Sequence, residues 1–194
     1  MSANVGPGDY FYTLYEVARK VNSSLDVMQV LNTIVSSTAR ALDAKACSLR
    51  LLGPDGKHLM FGASYGLSAN YRAKGAVILP LGGPGGSEVD RLALSSSSPV
   101  CIADASTDPR FQYPERAREE GIVSVLVVPL RVQDQPIGVM RVYTEVRHEF
   151  SQAELALVEA IASLSALAIE NGRLYERLNR NYQAAVDFSN RMFD

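Results

Sequence analysis

The sequence predicts an α+β fold, because segments with strand character are grouped in the middle of the chain between amphipathic helices at both ends. Paired β-branched segments joined by turn residues mark hairpins, and a capping box opens the last helix. With 194 residues, 47% of them hydrophobic, the chain is long enough for one ordinary domain. Residues 1–9 are rich in Gly, Pro, Ser and Asn and are expected to be loose. From Tyr10 the apolar positions Leu14, Val17 and Val21 take helical spacing. After Ser23 and Ser24 the set resumes at Val27, Val30, Leu31, Ile34, Thr38, Ala41 and Leu42. This gives two helices, or one broken near 22–24, with Ser24 as the expected N-cap and Asp26 in the first turn.

Ala46–Leu52 is a strand that runs into Gly53-Pro54-Asp55-Gly56, and 57–65 returns as its hairpin partner. Short strands are expected at 77–81 and 99–102, and a short helix at 88–95. Pro114 starts a helix over Pro114–Glu120 at its first position. Segments 123–130 and 137–144 are β-branched strands joined by a loop at 132–136. Ser151 and Glu154 form the capping box, with Phe150 and Leu155 as its hydrophobic staple. Beyond it Leu157, Ile161, Leu164, Ala168, Asn171, Tyr175, Leu178 and Tyr182 recur in steps of four and three. A seam with a 3.5-residue period suits a partner helix, so these positions are the expected dimer interface.

The charge balance, 19 basic against 21 acidic side chains, gives no reason to expect nucleic acid or an anionic membrane as partner. Two cysteines, Cys47 and Cys101, cannot make a disulfide scaffold, contain no CxxC, and are expected to be small buried apolar residues. The opening MSANVGPGDY lacks the pattern of a signal peptide. The apolar run 155–169, interrupted by Glu159, Ser163 and Ser165, is too short to span a bilayer. A cytoplasmic location is therefore expected. His58 and His148 have no ligand-spaced partner, so neither a metal nor another cofactor is expected.

Several stretches in this order resemble the GAF domain family. They are Pro99 to Ile102 with Asp104, Asp108-Pro109-Arg110-Phe111, the run from Gly121 to Leu130, Ile137-Gly138-Val139, Val142-Tyr143, Phe150 through Glu154, and Ile161-Ala162 to Asn171. The resemblance implies a central antiparallel sheet of five or six strands. Terminal helices would pack on one face, and loops and short helices would form a pocket on the other. It also implies regulation: dimerisation through terminal helices, a small-molecule ligand, and a kinase or other signalling partner. On this reading 10–172 is the GAF domain with its N-terminal helices, and 173–194 a signalling and dimerisation helix.

The chemically specific variants of the family fit poorly. Cyclic-nucleotide binders carry Asn-Lys followed by Phe-x-x-x-Asp-Glu; here Phe150 and Glu154 match, but Tyr143-Thr144 stands where Asn-Lys is expected. No cysteine sits beside a histidine as a bilin would need, and two cysteines cannot supply the three of the free methionine sulfoxide reductases. No haem ligand can be placed in the pocket.

Pocket-lining residues are expected on the loop after Ile102: Asp104, Asp108, Arg110, Phe111 and Tyr113. Arg110 would pair an anionic group while Phe111 and Tyr113 form apolar walls. Tyr143 is added on the expectation that Arg141, on the same strand, faces the other side. The competing reading has Asp104 capping a turn and Phe111 plugging the core. A ligand-free dimerisation or adaptor module is the first alternative function. A serine hydrolase is the second, because Gly62-Ala63-Ser64-Tyr65-Gly66 matches the nucleophile elbow, with Asp104 or Asp108 and then His148 following. The elbow needs a parallel sheet, and the neighbouring segments are hairpins. The glycine-rich 82–86, with Pro84 and no Lys-Ser/Thr pair, reads as a connection rather than a phosphate cradle.

Overall fold

A computed structural model of the chain describes residues 7–23, 26–79 and 86–192. Six strands form one sheet: β1 (Ala46–Leu52), β2 (His58–Tyr65), β3 (Val77–Ile78), β4 (Val100–Ile102), β5 (Val125–Val132) and β6 (Gln135–Tyr143). Their order across the sheet is β3-β2-β1-β6-β5-β4, and every neighbouring pair is antiparallel. Helices α1 (Pro7–Ser23), α2 (Val27–Ala41) and α6 (Gln152–Met192) lie against one face. The short helices α3 (Ala69–Arg72), α4 (Glu88–Ser96) and α5 (Pro114–Glu120) belong to the other.

Strand alternation builds two cores from one sheet. Cys47 and Leu49 of β1, Leu126, Val128 and Leu130 of β5, and Met140 and Val142 of β6 pack with Ile34, Leu157, Val158 and Ile161 of the terminal helices. The intervening positions Ala46, Val125, Val127, Val139 and Tyr143 face the short helices together with Val89, Phe111, Ala117 and Ile122.

Local chemistry explains the boundaries. Asp26, expected in the first turn of α2, is its N-cap and accepts the Gln29 N–H at 3.0 Å. The expected cap Ser24 lies outside the described residues. Helix α1 begins at Pro7, inside the stretch expected to be loose, while residues 1–6 lie outside the described part. The β1–β2 turn closes as expected, Gly56 N–H donating to the Gly53 carbonyl at 3.0 Å. The β5–β6 connection is tighter than the expected 132–136 loop. Gln133 and Asp134 both adopt positive φ (45° and 60°), the two-residue turn whose twist matches a hairpin, so both strands run further. Most of the glycine-rich 82–86 lies outside the described residues.

The capping box forms as read: Ser151 N–H donates to Glu154 Oε2 at 2.7 Å, and Glu154 N–H to Ser151 Oγ at 3.3 Å. From there α6 continues for 41 residues. By length and composition it meets the requirement for crossing a bilayer, contrary to the shorter run read from the sequence, although half of its apolar window is buried in the fold.

Candidate ligand-binding site

The second face of the sheet carries a buried polar cluster. On β1, Ser48 and Arg50 alternate with Leu49 and therefore turn away from the terminal helices. On β6, Arg141 lies opposite Ser48 and Tyr143 opposite Ala46. Arg50 and Arg141 are among the largest fully buried side chains of the protein. The structure corrects the expectation that Arg141 and Tyr143 face opposite sides: residues two apart on a strand share a face, and both enter the cluster.

Arg141 is paired with an acid. Its guanidinium donates through Nε to Asp90 Oδ1 at 2.9 Å, through Nη2 to Asp90 Oδ2, and through Nη2 to Ser87 Oγ at 3.3 Å. Burial works against its charge, but Asp90 and the tyrosine oxygens outweigh that and hold its pKa above the ordinary arginine value. Tyr143 exchanges a hydrogen bond with Ser48 Oγ at 3.0 Å and meets the Tyr71 ring edge-on, with centroids 6.1 Å apart.

Arg50, Lys74 and Tyr71 contrast with it. The Arg50 guanidinium stacks 3.7 Å above the Phe61 ring, yet its Nε and Nη2 meet no hydrogen-bond acceptor. Burial, followed by repulsion from Arg141, lowers its pKa. The Lys74 ammonium is enclosed 3.2 Å from the Tyr71 ring centroid and has no acceptor either. Burial, then the Arg141 and Arg50 charges, push its pKa down to about 5. The buried Tyr71 hydroxyl is the third unpartnered group. Tyr71 also lines an open cleft of about 500 Å³ with Lys45, Ser68, Asn70, Arg116 and Glu120. Glu120 of α5 ties down the start of α3 by accepting from Ser68 N at 2.7 Å and Ser68 Oγ at 2.5 Å.

Of the residues expected in the pocket, Tyr143 and Phe111 join this cluster, Phe111 lying 5.7 Å from the Arg141 guanidinium. Tyr113 stands at its margin, 5.8 Å from the Lys74 ammonium, and donates to the Ala76 carbonyl at 2.9 Å. The other three serve their own loop. Asp104 closes a turn by accepting Ser106 N–H at 2.9 Å. Asp108 takes Arg110 in a two-pronged pair, so the arginine expected to meet a ligand is occupied.

Ser64 sits within an antiparallel strand opposite Ser48, not on a strand-to-helix turn, so the nucleophile elbow is absent. His148 is paired with Glu154 at 2.9 Å, at the mouth of α6. Cys47 is buried and burial raises its thiol pKa, whereas Cys101, expected to be buried, is exposed on the edge strand β4. Two strands separate them, about 14 Å at ordinary strand spacing, so they do not form a dithiol.

The expected seam divides. Leu157, Ile161 and Ala168 are buried in the chain's own core and Leu164 packs against it. Tyr175, Leu178 and Tyr182 are 48%, 68% and 64% exposed, beside Leu174 and Phe188.

A GAF domain model matches residues 26–169. The chain is 22% identical over 136 residues, 69% of its length, to a Nif-specific regulatory protein of Herbaspirillum seropedicae. It spans 24% of that regulator's length and 21% of a second curated relative's. Among solved structures, the GAF domain of a phosphoenolpyruvate-protein phosphotransferase from Coxiella burnetii superposes with a TM-score of 0.74 at 23% identity, covering 90% of this chain and 99% of that one. A free methionine-R-sulfoxide reductase from Neisseria meningitidis, solved with its substrate, superposes with a TM-score of 0.69 at 19% identity, covering 86% of this chain and 91% of that one. At these identities the two structures share the fold.

Proposed function

The chain belongs to the GAF domain family, and on that premise we propose that it is a non-enzymatic, cytoplasmic regulatory module that pairs with a second copy through its terminal helices. A small molecule held on the second face of the sheet sets the state that those helices pass to a kinase or other signalling partner. The observation that carries this reading is the second half of α6. Leu174, Tyr175, Leu178, Tyr182 and Phe188 are all exposed on a helix whose earlier half is committed to the sheet. An isolated helical extension is marginal in water, and a row of large apolar side chains on it favours a partner that buries them. The segment from Arg173 onward, whose last two residues lie outside the described part, corresponds to the dimerisation segment 173–194 of this proposal. Aromatic residues Phe11, Tyr12 and Tyr15 of α1 are exposed as well, and α1 packs beside α6.

A ligand can bias such a pair only through different affinity for two arrangements of its helices. The test is sedimentation equilibrium of the chain and of Leu178→Asp at micromolar concentration. A dimer that dissociates on substitution supports the proposal. A monomeric parent, or a variant that stays dimeric, removes the seam and the relay built on it.

A further inference from the structure

Arg50 and Arg141 stand on adjacent strands and face the same cluster, but only one has an acid. Arg141 has both carboxylate oxygens of Asp90 and the hydroxyl of Ser87. Arg50 has an aromatic face and nothing at its edge: Phe61 occupies the flat side of the guanidinium, and its in-plane Nε and Nη2 donors meet no acceptor. Lys74 repeats the pattern, its ammonium set against the Tyr71 ring with no oxygen in reach. The Tyr71 hydroxyl, which can also donate, makes a third. Every unpartnered buried side-chain atom among the described residues belongs to these three residues, and every one is a donor. What the site lacks is acceptors.

Charge points the same way. Within the cluster the Asp90 carboxylate stands against Arg50, Arg141 and, when protonated, Lys74. The excess is then two positive charges. Leaving a guanidinium buried without a counter-ion is costly, and such groups in native proteins call for a ligand, an ion or a function. We infer that the cluster binds a small dianion, a carboxylate or phosphoryl compound, with Arg50 clasping one pair of oxygens as a fork and Lys74 and Tyr71 meeting the rest. This rests on the sensing role proposed above and assigns the chemistry of its ligand. Tyr71 is shared between the cluster and the wall of the open cleft, which places the cluster next to the cleft.

The groups facing Lys74 are Arg50 from β1, Arg141 from β6, Asp90 from α4, Glu120 from α5, Tyr71 and Tyr113. With its pKa pushed down to about 5, Lys74 is uncharged at neutral pH in the free protein. A dianion beside it reverses the balance, so binding draws a proton from solution. Affinity therefore falls as pH rises from about 5 toward the pKa of the bound state.

The experiment is calorimetric titration of the full chain with succinate, inorganic phosphate and, as a neutral control, succinamide. Succinate binding without phosphate assigns a dicarboxylate; phosphate binding without succinate assigns a phosphoryl ligand; both outcomes support the proposal. In the responding case Arg50→Gln weakens binding by roughly 10- to 150-fold, the range for losing a charged hydrogen-bond partner. Its melting temperature stays level or rises, because an unpaired buried charge has gone. A purely structural arginine gives the opposite sign in melting. Lys74→Met abolishes the proton uptake, read from titrations in buffers of different ionisation enthalpy. No heat with succinate or phosphate at about 10 mM, weaker than any working millimolar affinity, overturns the inference. Equal binding of succinamide overturns it too. Leu178→Asp binds the dianion as the parent does, so failure of the helical relay and failure of the anion site are read separately.

Discussion

The Asp90→Asn substitution probes the buried pair most directly. Asp90 is fully buried and bonds the Arg141 guanidinium through both oxygens, with Nε at 2.9 Å from Oδ1. The amide is nearly isosteric and retains one acceptor, so the change removes charge more than volume. Arg141 is then left beside Arg50 with no anion in the cluster, held only by the remaining amide oxygen and Ser87. Breaking a buried ion pair from one side costs about 3–5 kcal/mol, and the retained acceptor places this case near 3. For a chain of this size that lowers the melting temperature by roughly 10 °C and removes a large share of a total stability of about 5–15 kcal/mol. Urea unfolding measures the loss. Adding Arg141→Gln restores part of it, since the orphaned charge goes as well, and the double-mutant cycle isolates the coupling. A single-variant loss under about 1 kcal/mol means that the carboxylate does not hold the arginine and refutes the reasoning.

Three further outcomes follow from particular contacts. Gly138→Ala places a methyl 2.2 Å from the Arg50 carbonyl oxygen, a backbone atom that cannot swing aside. The β1–β6 pair must open, at about 1–3 kcal/mol or more by urea unfolding. Ser151→Ala removes half of the capping box, and a loss of about 1 kcal/mol is expected, with faster amide exchange in the first turn of α6. Lys74→Met is expected to stabilise the free protein more at pH 6 than at pH 9. Between about 5 and the ordinary lysine pKa the unfolded chain binds a proton that the folded chain does not, so parental stability climbs with pH while that of the variant does not. A pH-independent difference would show that the Lys74 ammonium is solvated.

The elements were legible where chemistry is local. β1 and α5 fall where the following Gly53–Gly56 turn and Pro114 place them, and the last helix starts at its capping box. Helix α3 is not legible in the sequence because four residues carry no periodicity, although Ser68 caps it. The site was harder. Acidic and aromatic residues on the 104–113 loop attract a pocket reading, but Asp104 is satisfied by Ser106, and Asp108 and Arg110 pair with each other. The informative residues were charged groups in apolar strands: Arg50 in Ala46–Leu52 and Arg141 in the β6 segment. Central strands covered on both faces seldom carry arginine, so either position alone signals a polar chamber. What the sequence could not supply is the pairing of Arg141 with Asp90, 51 residues away, which leaves Arg50 without an acid. The same limit applies to the seam, since periodicity cannot distinguish Ile161 in the core from Leu178 in water.

In the proposed relay, Gly172 would make the last helix a lever. An added Cβ there would lie 2.2 Å from a methyl of Val27, so α2 nestles into the gap and forms a fulcrum where α6 leaves the body. The stretch from 173 to 192 projects about 30 Å beyond that point, and a pivot of about 10° would sweep its tip by about 5 Å. Arg141 lies on one side of the sheet while its chain neighbours Met140 and Val142 press the load-carrying side beneath α6. In the proposed relay, a nudge to one side chain in the sheet would be geared up, through a single strand's thickness, into a stroke wide enough for a second molecule to feel.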